Sequence, residues 1–382
     1  MIAVLLIVGF GVSLVATLYA VRSARGHAHI TGDHDLSGPQ KFHHRPVPRI
    51  GGLGIFVGFL ASAVVLAWRQ PDHRQSLLFI VLSALPALAS GLLEDLTKRV
   101  SASKRLVATA VSAALGAWLL DAAVSRIGVP WVDSLLAVPL VAAAFAVFAV
   151  SGVANSVNII DGMNGLASMC AVLMLAGLGY VANEAGDALI VAIAVMTIGA
   201  TLGFFLWNYP NGLIFLGDGG AYFLGFIVAE LGILLVHRNP EVSPFCPLLL
   251  CAYPIVETVF SMYRRKVVRG RAVAMPDGIH LHSLIYRRLM RWAIGSKDAA
   301  ILTRRNSATA PYLWILCASC VVPALFWWDS TPVMLVSFAV FCGLYVRLYA
   351  RIVRFRTPRV LVRSAQPEIY ADVLPDSTKR RT

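Results

Sequence analysis

Three amides and one carboxylate crowd the stretch Asn155-Ser-Val-Asn158-Ile-Ile-Asp161-Gly-Met-Asn164-Gly-Leu166, which lies between two apolar segments. A carboxylate at membrane depth is expensive, so a polar cluster between two spans is by default a functional site. Asn155, Asn158 and Asp161 recur every third residue, and a helix would put them on one face. Hard oxygen donors of this kind suit Mg²⁺, which keeps water and phosphate in its shell. The plain alternative is a solvated turn built from Asn, Asp and Gly.

Four further stretches carry comparable chemistry. Glu94-Asp95 is a pair of adjacent acids, and one of two close carboxylates tends to hold its proton and serve as a base. In Phe215-Leu-Gly-Asp218-Gly-Gly220 an aspartate is bracketed by glycines, which fits either a helix cap or a metal ligand. Lys41-Phe-His-His-Arg-Pro46-Val-Pro-Arg49-Ile-Gly-Gly52 presents cations on a proline-stiffened backbone, and Arg and Lys are the usual readers of phosphate. His280 and His282 stand two apart, on one side of an extended segment but on opposite sides of a helix. No third His or Cys lies close to them, so phosphate contact fits better than zinc. Next to them is a basic run, Arg264, Arg265, Lys266, Arg269 and Arg271, expected to act as a rim that attracts anions.

The elements that must position these residues are membrane helices. Of 382 residues 58% are apolar and 14% charged, with a mean hydropathy of +0.73, which excludes an ordinary soluble domain. Apolar runs of bilayer-spanning length recur near 1–21, 51–68, 76–93, 105–121, 135–153, 165–182, 187–206, 213–236, 244–262, 311–328 and 331–350. The expected fold is therefore an all-α integral membrane protein of about eleven transmembrane helices. Arg22 and Arg25 follow the first span and no basic residue precedes it, which places the N-terminus outside. The net charge of +13 obeys the same topology. Loops on the outer side hold only Arg69, Arg74, Arg126 and Arg238, and nearly all other Lys and Arg fall in 22–50, 94–105, 263–310 and 351–382. The positive-inside rule thus accounts for the charge without nucleic acid. Residues 1–350 read as one polytopic unit containing the cytoplasmic loop 263–310, and 351–382 as a basic cytoplasmic tail. This topology brings all five polar stretches to the cytoplasmic face.

Six cysteines, Cys170, Cys246, Cys251, Cys317, Cys320 and Cys342, all lie in apolar segments and read as packed helix faces. A transporter for a polyanion or nucleotide sugar would place its polar residues at mid-membrane in repeated halves. Here they gather at one mouth and no repeat is visible.

The motifs in combination resemble those of the polyprenyl-phosphate N-acetylhexosamine-1-phosphate transferase family, whose members include O-antigen-initiating enzymes and the peptidoglycan phospho-MurNAc-pentapeptide transferase. The resemblance covers about residues 1–350 and rests on PVPRxGG at 46–52, the acid pair at 94–95, NxxNxxDGxxGL at 155–166, LGDxG at 216–220 and HxH at 280–282. It implies transfer of a sugar-1-phosphate from a UDP-N-acetylhexosamine to undecaprenyl phosphate, with release of UMP, at the cytoplasmic face of a bacterial inner membrane. It implies Mg²⁺ as cofactor, with Mn²⁺ as a substitute, held by Asp218 and Asn158. Catalytic roles fall to Glu94, Asp95 and Asp161. Substrate contacts fall to Lys41, Arg49, Asn155, Asn164, Phe215, His280 and His282, with Phe215 and Asn164 at the uracil. Membrane lipids are partners and a homo-oligomer is compatible. Four departures stand out: Glu94 for a common Asp, Asn164 for an Asp, Ala221 for a Ser, and Ser283 for a third His. They point towards the polysaccharide-initiating branch, with the pentapeptide transferase as the alternative.

Overall fold

The computed structural model describes residues 1–31, 47–268, 270, 278–290 and 299–354. Helices dominate: α1 (Ile2–Thr31), α2 (Gly51–Arg69), α3 (Arg74–Thr97), α4 (Ala102–Leu119), the short α5 (Pro130–Leu136), α6 (Pro139–Ile160), α7 (Leu166–Glu184), α8 (Ala188–Asn208) and α9 (Gly217–Arg238). Then come α10 (Phe245–Leu250), α11 (Ala252–Tyr263), α12 (Leu281–Leu284), α13 (Ala299–Trp327) and α14 (Thr331–Val353). Wider π turns at Arg264–Val268 and Ile285–Met290 continue α11 and α12.

Nine helices among the described residues are long and apolar enough to cross a membrane. Two of the eleven expected spans are not among them, each for a legible reason. Helix α4 carries Lys104 and Arg105 in its first turn. The run 244–262 is divided at Cys251 into α10 and α11. Pro254 has no N–H to give the carbonyl of Leu250 and its ring crowds that group, which favours the break seen there.

Helix α9 is the axis of the bundle. It is apolar on every side, and its membrane window is 100% buried against 22% for α1 and for α14. A helix without a polar face belongs inside. Helices α2, α3, α4, α6, α7 and α8 all touch it. Lipid tails are as apolar as leucine, so such packing depends on close approach rather than on water exclusion. One such tight point is Gly91 of α3, where a Cβ would come within 2.5 Å of the Asp218 carbonyl carbon and the Gly219 Cα. Only a glycine lets α3 reach the start of α9.

That start is further fixed by main-chain pairing with the segment before α2. Phe215 donates its N–H to Pro48 O (2.9 Å), Gly51 to Phe215 O (3.0 Å) and Gly52 to Leu216 O (2.9 Å). The two motifs read as PVPRxGG and LGDxG are therefore one unit of structure.

Candidate active site

Asp218 lies in the first turn of α9 and is the hub of the site. Gly217 before it takes φ +74°, a left-handed turn that side-chain-bearing residues resist. Asn158 of α6 donates Nδ2 to Asp218 Oδ1 at 2.9 Å. Arg49 Nη2 stands 3.6 Å from the same oxygen, and Arg105 of α4 pairs with Oδ2. Three separate stretches thus converge on one carboxylate.

Asp95 has a different task. Its Oδ1 accepts the N–H of Asp218 (3.0 Å) and its Oδ2 the N–H of Gly219 (2.9 Å). A carboxylate that takes two orphan amides at a helix start caps the helix and complements its dipole. Asp95 is 1% exposed, and Arg49 Nε lies 3.6 Å from Oδ1. It is not among the residues that line the cavity. Its neighbour Glu94 does line the cavity, its Oε2 held by the N–H of Val100 at 2.8 Å.

The cavity measures about 410 Å³ and is open to one side. Asp218, Asn158, Arg49, Arg105 and Glu94 line it. Asp161, Asn164, Phe215, His280 and His282 also line it. Asp161 follows the last residue of α6, and burial pushes its carboxyl up to about 7, with Arg49 opposing the shift. Asn164 is nearly buried and donates Nδ2 to Pro210 O and to Ser307 Oγ, both at 3.2 Å. Its own N–H goes to Asn306 Oδ1 at 2.8 Å.

His280 precedes α12 with extended backbone (φ −58°, ψ 155°), and His282 lies in the first turn of that helix. Their rings stack with centroids 5.4 Å apart and planes 7° apart. His282 reaches the loop after α6, where a Cβ on Gly162 would come within 2.5 Å of its Nε2.

Two other expectations are revised, and some lie out of view. Asn155 does not line the cavity; it accepts a hydrogen bond from Tyr222 OH at 3.3 Å and ties α6 to α9. Arg264, expected in an anion-attracting rim, is buried, donates to Ile279 O at 2.9 Å and lies over the Tyr349 ring at 5.1 Å. It braces the His280 segment. Lys41, Arg269 and Arg271 fall outside the described residues.

Arg105, Asn208, Asn306 and Glu257 were not singled out in the sequence, yet the first three line the cavity and Glu257 holds His280. Glu257 had an available signal, a carboxylate inside an apolar span. Arg105 and Asn306 had only weak ones, since polar residues at the mouth of a span are ordinary interface groups.

The donor set fits Mg²⁺ bound jointly with substrate. No group of three or more His, Cys, Asp or Glu among the described residues could hold a metal alone. Mg²⁺ is usually held by one or two protein oxygens together with phosphates and waters. Asp218 supplies such a carboxylate, and Asn158, whose Nδ2 is spent on Asp218, keeps Oδ1 for a second.

Comparison with known proteins agrees with this geometry. Residues 77–236, which run from α3 through α9, match glycosyl transferase family 4. A Bacillus subtilis protein described as a probable undecaprenyl-phosphate N-acetylglucosaminyl 1-phosphate transferase is 27% identical over 298 residues, 78% of this chain and 80% of that one. A decaprenyl-phosphate N-acetylglucosaminephosphotransferase of Mycolicibacterium smegmatis is 26% identical over 337 residues, 80% and 79% of the two chains. A phospho-N-acetylmuramoyl-pentapeptide-transferase of Streptococcus thermophilus is 30% identical over 155 residues, 39% of this chain and 46% of that one. The five motifs gathered around one cavity and relatives of this kind along most of its length support the polyprenyl-phosphate N-acetylhexosamine-1-phosphate transferase superfamily for this chain.

Proposed function

We propose that this protein transfers N-acetylhexosamine-1-phosphate from UDP-GlcNAc, or a closely related UDP-N-acetyl sugar, to undecaprenyl phosphate and so starts a cell-surface polysaccharide of the O-antigen kind. The observation that carries this reading is the Asp218 hub, a carboxylate joined by an amide and two guanidinium groups on the wall of an open cavity. Relatives named for N-acetylglucosamine transfer align with about four fifths of the chain, against 39% for the pentapeptide transferase. The Lys and Arg asymmetry supports a site on the cytoplasmic face of the inner membrane.

In this reaction an oxygen of the lipid phosphate attacks the β-phosphorus of the donor. The bond from β-phosphorus to the bridging oxygen breaks, and its electron pair leaves with UMP. Phosphoryl transfer of this kind is catalysed mainly by positioning and charge stabilisation. Arg49 and Arg105 hold the phosphates and exchange their pairing with Asp218 for the substrate as it enters. Glu94 takes up the proton of the lipid phosphate at the cavity mouth. Asp161 orders the pyrophosphate surroundings, and His280 and His282 contact the phosphates. Asn164 and Phe215 flank the uracil. Mg²⁺ bound at Asp218 and Asn158 supplies a Lewis acid that offsets the charge of the meeting phosphates.

The test uses the purified full chain in detergent with undecaprenyl phosphate and Mg²⁺. Labelled UDP-GlcNAc should yield UMP and labelled lipid, chelation should stop both, and the UDP-MurNAc-pentapeptide should yield neither. Efficient transfer from the pentapeptide would move the chain to peptidoglycan synthesis, and failure to release UMP from any UDP-sugar would sink the transferase reading.

A further inference from the structure

Glu257 lies in α11, away from the five motifs, and is 1% exposed. A buried carboxylate is costly unless its oxygens are well partnered, and truncating one such partner is usually severe. Here the partners are specific. Oε1 meets His280 Nδ1 at 2.9 Å and accepts the N–H of Leu281 at 3.2 Å. Oε2 accepts Tyr345 OH at 2.8 Å and the same Leu281 N–H at 3.3 Å. A carboxylate can only accept here, so the ring must carry its proton on Nδ1. His280 is 4% exposed and lines the cavity, with Nε2 as its remaining polar atom.

We propose that Glu257 is a positioning residue for the transfer: it fixes the tautomer and orientation of His280 so that Nε2 is presented to the phosphates of the bound nucleotide sugar. A histidine is defined by what its other nitrogen does. The Leu281 N–H on the same carboxylate locks the ring to the start of α12, so main chain and imidazole are held by one group. Tyr345 of α14 completes the anchor, with its ring against Phe260 at 5.6 Å. Among the described residues, the titratable groups that act on the carboxylate are His280, His282, Tyr345 and Tyr253. None of these is a second carboxylate that would compete for the Nδ1 proton. The inference rests on the transferase reading above.

A double-mutant cycle separates positioning from mere support. Glu257→Gln keeps the shape and removes the charge, and should lower kcat by about 10- to 100-fold, the range for groups that orient an active histidine. KM should change little. In a His280→Gln background the same change should cost less than about threefold, because its route to the chemistry is gone. Glu257→Asp, which keeps the charge and draws it back by one methylene, supplies the cycle if the Gln variant is lost from the membrane. Equal losses in both backgrounds, or full activity of the Glu257 variants, would overturn the proposal. A readout independent of activity is ¹⁵N NMR of labelled histidine, with His280 identified by the signal missing in His280→Gln. A proton on Nδ1 is expected, and a neutral ring with bare Nδ1 refutes the assignment. Wild-type protein with protonated Nδ1 and no UMP release from any donor would instead overturn the transferase reading together with this role.

Discussion

The two ends of α9 are both crowded with charge, and they use it differently. At its C-terminal end Arg126 donates to the carbonyls of Val236, Asn239 and Val242, the last at 2.8 Å. Asp187 accepts the N–H of Ile190 at the start of α8 and pairs with Arg238 at 2.5 Å. Cations thus meet helix carbonyls and an acid meets helix amides, as the dipoles require. Most of these bonds end on main chain, which cannot leave. At the N-terminal end Asp95 does the same work on the amides of Asp218 and Gly219. Above it, however, Asp218, Asn158, Arg49 and Arg105 bond side chain to side chain on the wall of a cavity. Such partners can be exchanged for a ligand. A charge cluster becomes a site when its bonds are replaceable and open space lies beside them.

This contrast is broken most directly by paired substitutions. Asp218→Asn should lower turnover by about 10³-fold or more, corresponding to several kcal/mol of lost charge stabilisation, while the protein remains in the membrane. Asp187→Asn should leave turnover within about threefold and reduce stability by about 1 kcal/mol, the worth of a helix cap. Steady-state kinetics and thermal unfolding of both proteins decide. Near-normal turnover of the Asp218 variant at millimolar Mg²⁺ would remove that residue from the site.

The adjacent acids sharpen the division within one end. Glu94→Gln should lower kcat by about 10²-fold or more with unfolding unchanged, as loss of a general base does. Asp95→Asn should destabilise by about 1–2 kcal/mol through the loss of a charged cap, and lower activity less. The reverse pattern would make Asp95 the acting base.

Arginines give a third, smaller contrast. Arg105→Gln should raise KM for the donor about tenfold and weaken its dependence on salt, since a phosphate contact is lost. Arg126→Gln should change unfolding and leave KM alone. An unchanged KM in the Arg105 variant would return that residue to structure.

Asp161 gives the smallest effect. Its carboxyl, raised from 3.8 to about 7 by burial, holds its proton in the folded chain after the unfolded chain has released it. Stability of the metal-free protein should therefore fall as pH rises through that window and level off above about 7. Asp161→Asn should flatten the trend between pH 5 and pH 8. An identical slope in both proteins would show that the carboxyl is not raised.

Composition and charge were enough to read helices, membrane class and the polar stretches, because apolar length and Lys/Arg bias are local properties of the chain. They also put Asp218, Asn158, Glu94, Asp161 and His280 on a single list, since each stands out against an apolar background. Local pattern could not divide Glu94 from Asp95. Both are acids at the end of α3, and only the approach of α9 through Gly91 commits Asp95 to two amides and leaves Glu94 on the cavity. Nor could it find Arg105, Asn306 or Glu257, whose meaning comes from partners 113, 142 and 23 residues away, Asp218, Asn164 and His280. The break at Cys251 escapes hydropathy, which runs smoothly across it, and is marked in the sequence only by Pro254. Sequence distinguishes residues by type, and type decides solvent. Which of two like residues meets the substrate depends on which helix packs against it, and that is decided by tertiary contact alone.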